Sequence, residues 1–276
     1  MLVDIGLNLT SDRYDHDRDA ILVRGHAAGV SRFIITGTSV EESEAAVALA
    51  ATHRPYCLAT VGVHPHQAAS LDSAGLDRLR ALLRQPGVVA VGETGLDFNR
   101  DFSPRPDQER AFEWQIGLAG ECGVPLFLHE RDASDRQLAI LRGLRNNWSD
   151  GVLHCFTGTR DALFAYLDLG LHIGITGWVC DDRRGQELAT LVKDIPSDRL
   201  LLETDGPWLL PRDLPNKPKD RRNEPAFLPH IAETVARLRG ESFAALAEIT
   251  TANARRLFRF DQADLAQTLP ETDPAH

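Results

Sequence analysis

In five places in this 276-residue chain a run of apolar residues leads straight into a histidine or an acid, and this recurrence constrains the fold more than any other feature. The stretches are GVHPH at His64, GETGLDF at Glu93, FLHERDA at His129, LHCFTGT at His154 and ETDGP at Asp205. Neighbouring positions in this series lie one or two strand-helix units apart, whereas ligands on a single helix would be three or four residues apart. The pattern is that of parallel strands, each delivering one polar side chain to a common point. In a barrel of alternating strands and helices the active site lies at the carboxyl ends of the strands, so a polar residue placed there reads as catalytic or metal-binding.

Eight short runs rich in Val, Ile and Leu read as strands: 2–8, 32–36, 57–63, 88–92, 124–128, 151–154, 171–175 and 200–204. Runs that are apolar on both faces suit strands buried between a barrel interior and covering helices. Helical periodicity fills the gaps, for example over 41–52, 76–85, 107–120, 133–145 and 160–169, and again over 228–239 and 243–258 after the last strand. Asn223 and Pro225 supply a start signal for the first of those last two, with Asn as the cap. The reading is one α/β domain, a TIM-type (β/α)8 barrel spanning residues 1–260, with a doubly wound open sheet as the alternative. Residues 261–276, with two prolines, four acids and no Lys or Arg, read as an acidic, disordered tail.

The remaining bulk properties narrow the class. A 43% hydrophobic and 25% charged composition is that of a globular protein rather than a disordered one. Without an apolar stretch of roughly 20 residues or a basic segment leading an apolar one at Met1, the chain reads as neither membrane-spanning nor secreted. Cys57, Cys122, Cys155 and Cys180 are widely separated, as expected for reduced thiols in the cytoplasm. A monomer is the simplest state for a self-contained barrel. The net charge of −10 argues only weakly against a polyanionic substrate, because setting the tail aside leaves 36 acids against 30 bases. Locally, Lys217–Arg222 (KPKDRR) is the densest basic run and is suited to holding phosphates.

These motifs, with GITGWVCDDRRG, LLETDGPWLLPRD and RRNEPAFLPHI, occur in an order that resembles the TatD family of metal-dependent deoxyribonucleases, a branch of the amidohydrolase-like barrels. The resemblance runs from Asp4 to about Phe258. It implies divalent-metal-dependent hydrolysis of phosphodiesters, with 3′-to-5′ exonuclease action on single-stranded DNA and also RNA. It further implies that Glu93, His129, His154 and Asp205 bind the metal, with His64 beside them. Most of the wider family begins with Asp-x-His-x-His. Here that stretch is Asp4-Ile5-Gly6-Leu7-Asn8, and Asn8 offers only an amide oxygen. One well-held cation is therefore expected, with a second recruited alongside substrate. Carboxylate and water ligands favour Mg²⁺, with Mn²⁺ or Zn²⁺ as alternatives.

The chemistry assigns roles. Glu93 fixes the ion, Asp205 ligates it and orients or deprotonates the attacking water, and His64 donates to the phosphate or protonates the leaving oxygen, as suits an imidazole titrating near neutrality. Asp97 is read as a partner that orients a ligating histidine. His66, Asn8, Arg221 and Arg222 are candidate phosphate or substrate contacts, against a competing reading of Arg221, Arg222 and Glu224 as a solvated turn with a structural ion pair. Cys155 reads as packing, because neighbours on a strand face opposite ways. Trp178 and Trp208, on loops after the seventh and eighth strands, are candidates for base stacking, with at least one of them packed in the core. Two other functions compete: a metal-dependent amidohydrolase or esterase acting on a small substrate, and a non-catalytic metal-binding barrel.

Overall fold

The computed structural model describes residues 1–260; the expected acidic tail lies outside them. Eight parallel strands run in the order β1 (Leu2–Leu7), β2 (Val30–Ile35), β3 (Cys57–Val61), β4 (Val88–Asp97), β5 (Leu126–Arg131), β6 (Gly151–Leu153), β7 (His172–Ile175) and β8 (Leu200–Leu202). Each strand pairs with the next in sequence, which short right-handed crossovers through intervening helices produce. Those helices are α1 (Arg18–Ala27), α2 (Val40–Thr52), α3 (Ser73–Leu82), α4 (Arg105–Cys122), α5 (Ser134–Gly143), α6 (Arg160–Asp168) and α7 (Gln186–Leu191), followed by α8 (Leu228–Arg239) and α9 (Phe243–Phe258). The TIM-type reading holds, and the open-sheet alternative does not.

Two apolar layers hold the barrel. The larger lies between strands and helices. The smaller takes Val3, Ile5, Ile34, Ala90, Phe127, Val152 and Leu201 from the strands and packs them against Leu257, Phe258 and Phe260. The end of α9 thus covers the interior strand residues with apolar side chains, which removes them from water and leaves the polar residues to gather at the strands' carboxyl ends. Among the described residues no helix is long and apolar enough to cross a membrane, and the four cysteines are unpaired.

Three local details depart from the sequence reading. First, β4 and β5 do not stop at Gly92 and Leu128. Their ladder continues through Thr94–Leu128, Gly95–His129, Leu96–Glu130 and Asp97–Arg131, after a register shift between Val91 and Thr94. Glu93 sits in that shift, so Glu93 and His129 are inside strands that project past the rest of the barrel. Gly92 makes this path possible: its φ is 145°, and a Cβ there would lie 2.1 Å from the Phe127 carbonyl oxygen. Second, Asn223 does not cap α8. A 3-10 turn, Pro225–Phe227, precedes that helix, and Asn223 instead donates from Nδ2 to the Thr204 carbonyl at 2.8 Å. Third, a helix α1 fills the polar stretch between β1 and β2. Its polarity hides it from periodicity; only Ile21, Leu22 and Gly25 of it are buried.

The barrel closes differently from how it is built. The Asp205 N–H donates to Gly6 O at 2.9 Å and the Asn8 N–H to Gly206 O at 2.8 Å, joining the segment after β8 to β1. Asp4 seals the seam with a side chain. Its Oδ1 accepts from the Thr204 N–H at 2.9 Å, and its Oδ2 accepts from the Thr204 hydroxyl. Burial pushes the Asp4 carboxyl up to about 7, against the lowering effect of the Thr204 hydrogen bonds.

Candidate metal centre

The strands' carboxyl ends surround a cleft of about 750 Å³. Glu93 Oε1 is its focal atom: His154 Nε2 lies 2.8 Å away, His129 Nδ1 2.9 Å and His64 Nε2 3.3 Å. One carboxylate oxygen has two lone pairs, so it cannot accept three well-aligned hydrogen bonds. Imidazole nitrogens and an acid brought together at a buried point are a donor set that suits a cation. The fit is reinforced at His129, whose buried Nε2 has no hydrogen-bond partner and only approaches Asp97 Oδ2 at 3.4 Å. Asp205 lines the same cleft; its Oδ1 accepts from Asn8 Nδ2 at 2.9 Å.

Charge is distributed accordingly. Burial favours the neutral form of Glu93, but His154, His64 and His129 outweigh it and hold the carboxyl well below its usual range. Burial likewise opposes charge on His154, yet Glu93 and Glu203 raise its imidazole well above its ordinary value. Burial pushes Asp205 up to about 7, countered by His154 and reinforced by Glu93 and Glu203. An excess of buried carboxylates around one point is what a bound cation would offset.

His64 behaves otherwise than its sequence reading. Burial, only partly countered by Glu93, pushes its imidazole down to about 4, so it stays neutral where a titrating group had been expected. Its Nδ1 accepts from the His66 N–H at 3.1 Å, which assigns the ring proton to Nε2, the atom facing Glu93. His66 also lines the cleft, with Nε2 at 2.7 Å from Asp97 Oδ2 and its ring 4.7 Å from that of Phe102, an exposed aromatic at the rim. Asp97 is a hub. One oxygen faces His66 and His129, while the other accepts from the N–H groups of Asn99 and Arg100. Despite burial, His129, the Arg100 N–H and His66 hold its carboxyl far below the carboxylate range.

The most consequential residue is one that sequence reasoning passed over. Glu203, fully buried, accepts from the Cys155 N–H at 2.6 Å and holds His154 Nδ1 at 3.3 Å. A ligating histidine needs such a partner on its other nitrogen to fix tautomer and orientation. Glu203 also explains Gly6: a Cβ at position 6 would lie 2.3 Å from Glu203 Oε2. The place a side chain at position 6 would occupy is filled by a carboxylate. The signal was present in the acid two residues before Asp205, hidden because it reads as the polar end of an apolar strand.

Arg221 and Arg222 are not brought to the cleft. Arg222 forms a paired contact with Asp17, at 2.7 Å from each carboxylate oxygen, and Arg24 grips both Asp17 and Glu224. The turn is a structural ion-pair cluster that ties the segment after β8 to α1. The arginines that do line the cleft are Arg100 and Arg131. Arg131 lies in the HERDA stretch and stacks on Trp178 at 5.5 Å, with Arg184 on the same ring at 4.4 Å. Trp208, half exposed, also lines the cleft, whereas Trp178 packs partly into the core. Cys155 lines the cleft too, contrary to strand alternation, because β6 has ended and the residue has φ 47°. Burial pushes its thiol up to about 12, so it is no nucleophile at neutral pH.

Comparison with known proteins agrees with this geometry. The model of the TatD-related DNase family matches residues 3–259. A protein from Rahnella sp. named 3′-5′ ssDNA/RNA exonuclease TatD is 54% identical over 93% of this chain and 98% of its own length. One of the same name from Salmonella typhimurium is 52% identical over the same shares. Among solved structures, YJJV, a TatD homologue from Escherichia coli K12, superposes with a TM-score of 0.86 at 27% identity, covering 94% of this chain and 98% of the other. A barrel of this topology, a cleft of this donor set and a family match over nearly the whole described chain lead to one conclusion: the chain belongs to the TatD-related DNase family.

Proposed function

We propose that this chain is a metal-dependent nuclease that removes nucleotides from the 3′ end of single-stranded DNA and RNA. The observation that carries the reading is the convergence of three imidazoles on Glu93 Oε1 in a cleft that also holds Arg100, Arg131, Trp178 and Trp208. Glu93, His129, His154 and Asp205 would hold the cation, with His64 beside them. Mg²⁺ is the preferred ion, given the two carboxylates. A divalent ion there supplies neutralisation of the non-bridging oxygens and a water of lowered pKa.

The protein's own groups do the rest. Asp205 orients the attacking water and accepts its proton as the new P–O bond forms. The bond to the 3′ oxygen of the penultimate sugar breaks, and that oxygen leaves with a proton from solvent. His64, neutral with its proton on Nε2, donates a hydrogen bond to a phosphate oxygen rather than a proton. Arg131 and Arg100 hold the backbone phosphates in place of the Arg221/Arg222 pair, and the tryptophans offer faces on which bases stack. Glu203 keeps His154 in the tautomer that points Nε2 at the cation. Unpaired cysteines suit a reducing compartment, so the enzyme is read as cytoplasmic, monomeric and engaged in trimming ends in DNA repair or turnover.

The test is digestion of 3′- and 5′-labelled single-stranded DNA by the purified protein with Mg²⁺, with Mn²⁺ and with EDTA, beside His154→Ala. Stepwise shortening from the 3′ end that requires metal and vanishes in the variant is expected. Metal-dependent hydrolysis of amide or ester substrates without any digestion of DNA would replace this reading by the small-substrate hydrolase.

A further inference from the structure

A second group of ligand-type side chains lies away from the cleft. Cys180 ends the 3-10 turn Gly177–Cys180 after β7, Asp213 lies in the segment after β8, and His230 is on the first turn of α8. Their ligand atoms all lie within 4.8 Å of one another, and His230 Nε2 is 2.7 Å from Asp213 Oδ1. None of the three lines the cleft. Around a tetrahedral ion with ordinary bond lengths, S, N and O donors stand roughly 3.3–3.6 Å apart. Small side-chain movements therefore bring these three to that spacing.

The chemistry of the group is specific. Cys180 is buried, whereas Asp213 is exposed and His230 half-buried; a water can thus complete a fourth position from the open side. A thiol next to a carboxylate gains nothing from ionising unaided, and burial pushes Cys180 up to about 12; a bound cation removes that obstacle by taking the thiolate directly. A sulfur, a nitrogen and a carboxylate oxygen select a borderline ion such as Zn²⁺ over Mg²⁺, which prefers six oxygens.

Position gives the group a consequence. Trp178 is two residues before Cys180 and Trp208 five residues before Asp213, and both line the cleft. The two segments already touch through the Arg212–Asp181 pair at 3.8 Å. We propose that Cys180, Asp213 and His230 form a second metal site, selective for Zn²⁺ or a similar borderline transition-metal ion, that clips the loops bearing Trp178 and Trp208 to α8. This site is independent of the cleft centre and of whether the chain is a nuclease.

The test uses the full chain, stripped with chelator and titrated with Co²⁺ as a spectroscopic stand-in for Zn²⁺. A thiolate-to-cobalt charge-transfer band in the near ultraviolet is expected in the wild type and in Cys155→Ser, with an amplitude of one thiolate-bound ion per chain beside the ion that the cleft centre takes up. It is expected to be absent in Cys180→Ser. In His230→Ala, whose side chain reaches solvent and whose loss leaves the core intact, the affinity falls on the order of 10-fold or more. Mg²⁺ does not compete. Hydrogen exchange of residues 207–222 then slows on adding Zn²⁺ to the wild type and not to His230→Ala. No charge-transfer band in the wild type, a band that survives Cys180→Ser but not Cys155→Ser, or exchange that Zn²⁺ leaves unchanged would each overturn the proposal.

Discussion

The two walls of the cleft are built by different means. On one side β4 and β5 run ten and six residues and stay paired past the level of Glu93 and His129. On the other, β8 is three residues long and meets β1 through two backbone hydrogen bonds and the Asp4 carboxylate. His129 is positioned by a backbone ladder that resumes at Thr94, and Glu93 by the register shift just before it. Asp205, by contrast, has a left-handed φ of 55° and is steadied by Asn8, while His154 depends on Glu203, which reaches it from the end of β8 past β7. A ladder is stiff and indifferent to charge, whereas a seam made of buried carboxylates responds to pH and to cations. Glu93 and His129 stand on the paired wall, whereas Asp205 and His154 are held by side-chain contacts to Asn8 and Glu203.

That contrast breaks or survives on a graded set of measurements. Glu93→Gln removes the atom both walls share, and kcat/KM on single-stranded DNA should fall on the order of 10³-fold with thermal stability nearly unchanged, since the ladder does not need the charge. Glu203→Gln acts only on the wall that carries His154, through the Cys155 N–H and His154 Nδ1. It should cost roughly 10–100-fold in metal affinity, read by titration, with the β4–β5 exchange protection intact; equal loss of protection on both walls would show that they are one unit.

Asp4→Asn tests the electrostatic side of the seam. The folded-state pKa of about 7 lies above the ordinary value of 3.8, so the native state binds the proton more tightly than the unfolded chain. The stability this supplies is full below about pH 4 and is lost as the pH rises through 7. An asparagine keeps one acceptor oxygen for the Thr204 and Gly6 N–H groups and donates to the Thr204 hydroxyl in place of accepting from it, without the buried charge. The metal-free variant should therefore melt about 5 °C above the wild type at pH 8 and equal it at pH 4–5. A constant offset across that range would remove Asp4 as the titrating group. The smallest effect on activity belongs to Arg222→Ala, which loses the paired contact with Asp17 and should cost about 1–3 kcal/mol of stability with kcat/KM unchanged. A large rise in KM there would restore the basic turn as a substrate contact.

The sequence reading succeeded where the signal is local. Each strand is a short apolar run that must be buried wherever it ends up, so eight of them with helices between could be ordered into a barrel before any contact was known. The ligand-type residues were legible for the same reason: His64, Glu93, His129, His154 and Asp205 each break an apolar run at a similar place. The KPKDRR run misled because a basic segment has the same appearance whether it meets phosphate or meets Asp17, about 200 residues earlier. The strand-alternation argument for Cys155 failed because it assumed that the strand went on.

What the sequence by itself determined was the architecture and the set of polar residues that reach its open end, since hydrophobic burial acts run by run and needs no knowledge of partners. The tertiary structure alone decided which of those residues meet. It put Glu203 behind His154 and into the space beside Gly6, and burial favours the neutral form of His64. It also turned Arg222 into a structural clasp and let Arg100 and Arg131 face the cleft. Each of these is a matter of pairing and desolvation between distant segments, and such electrostatic terms depend on distances that exist only once the chain has closed on itself.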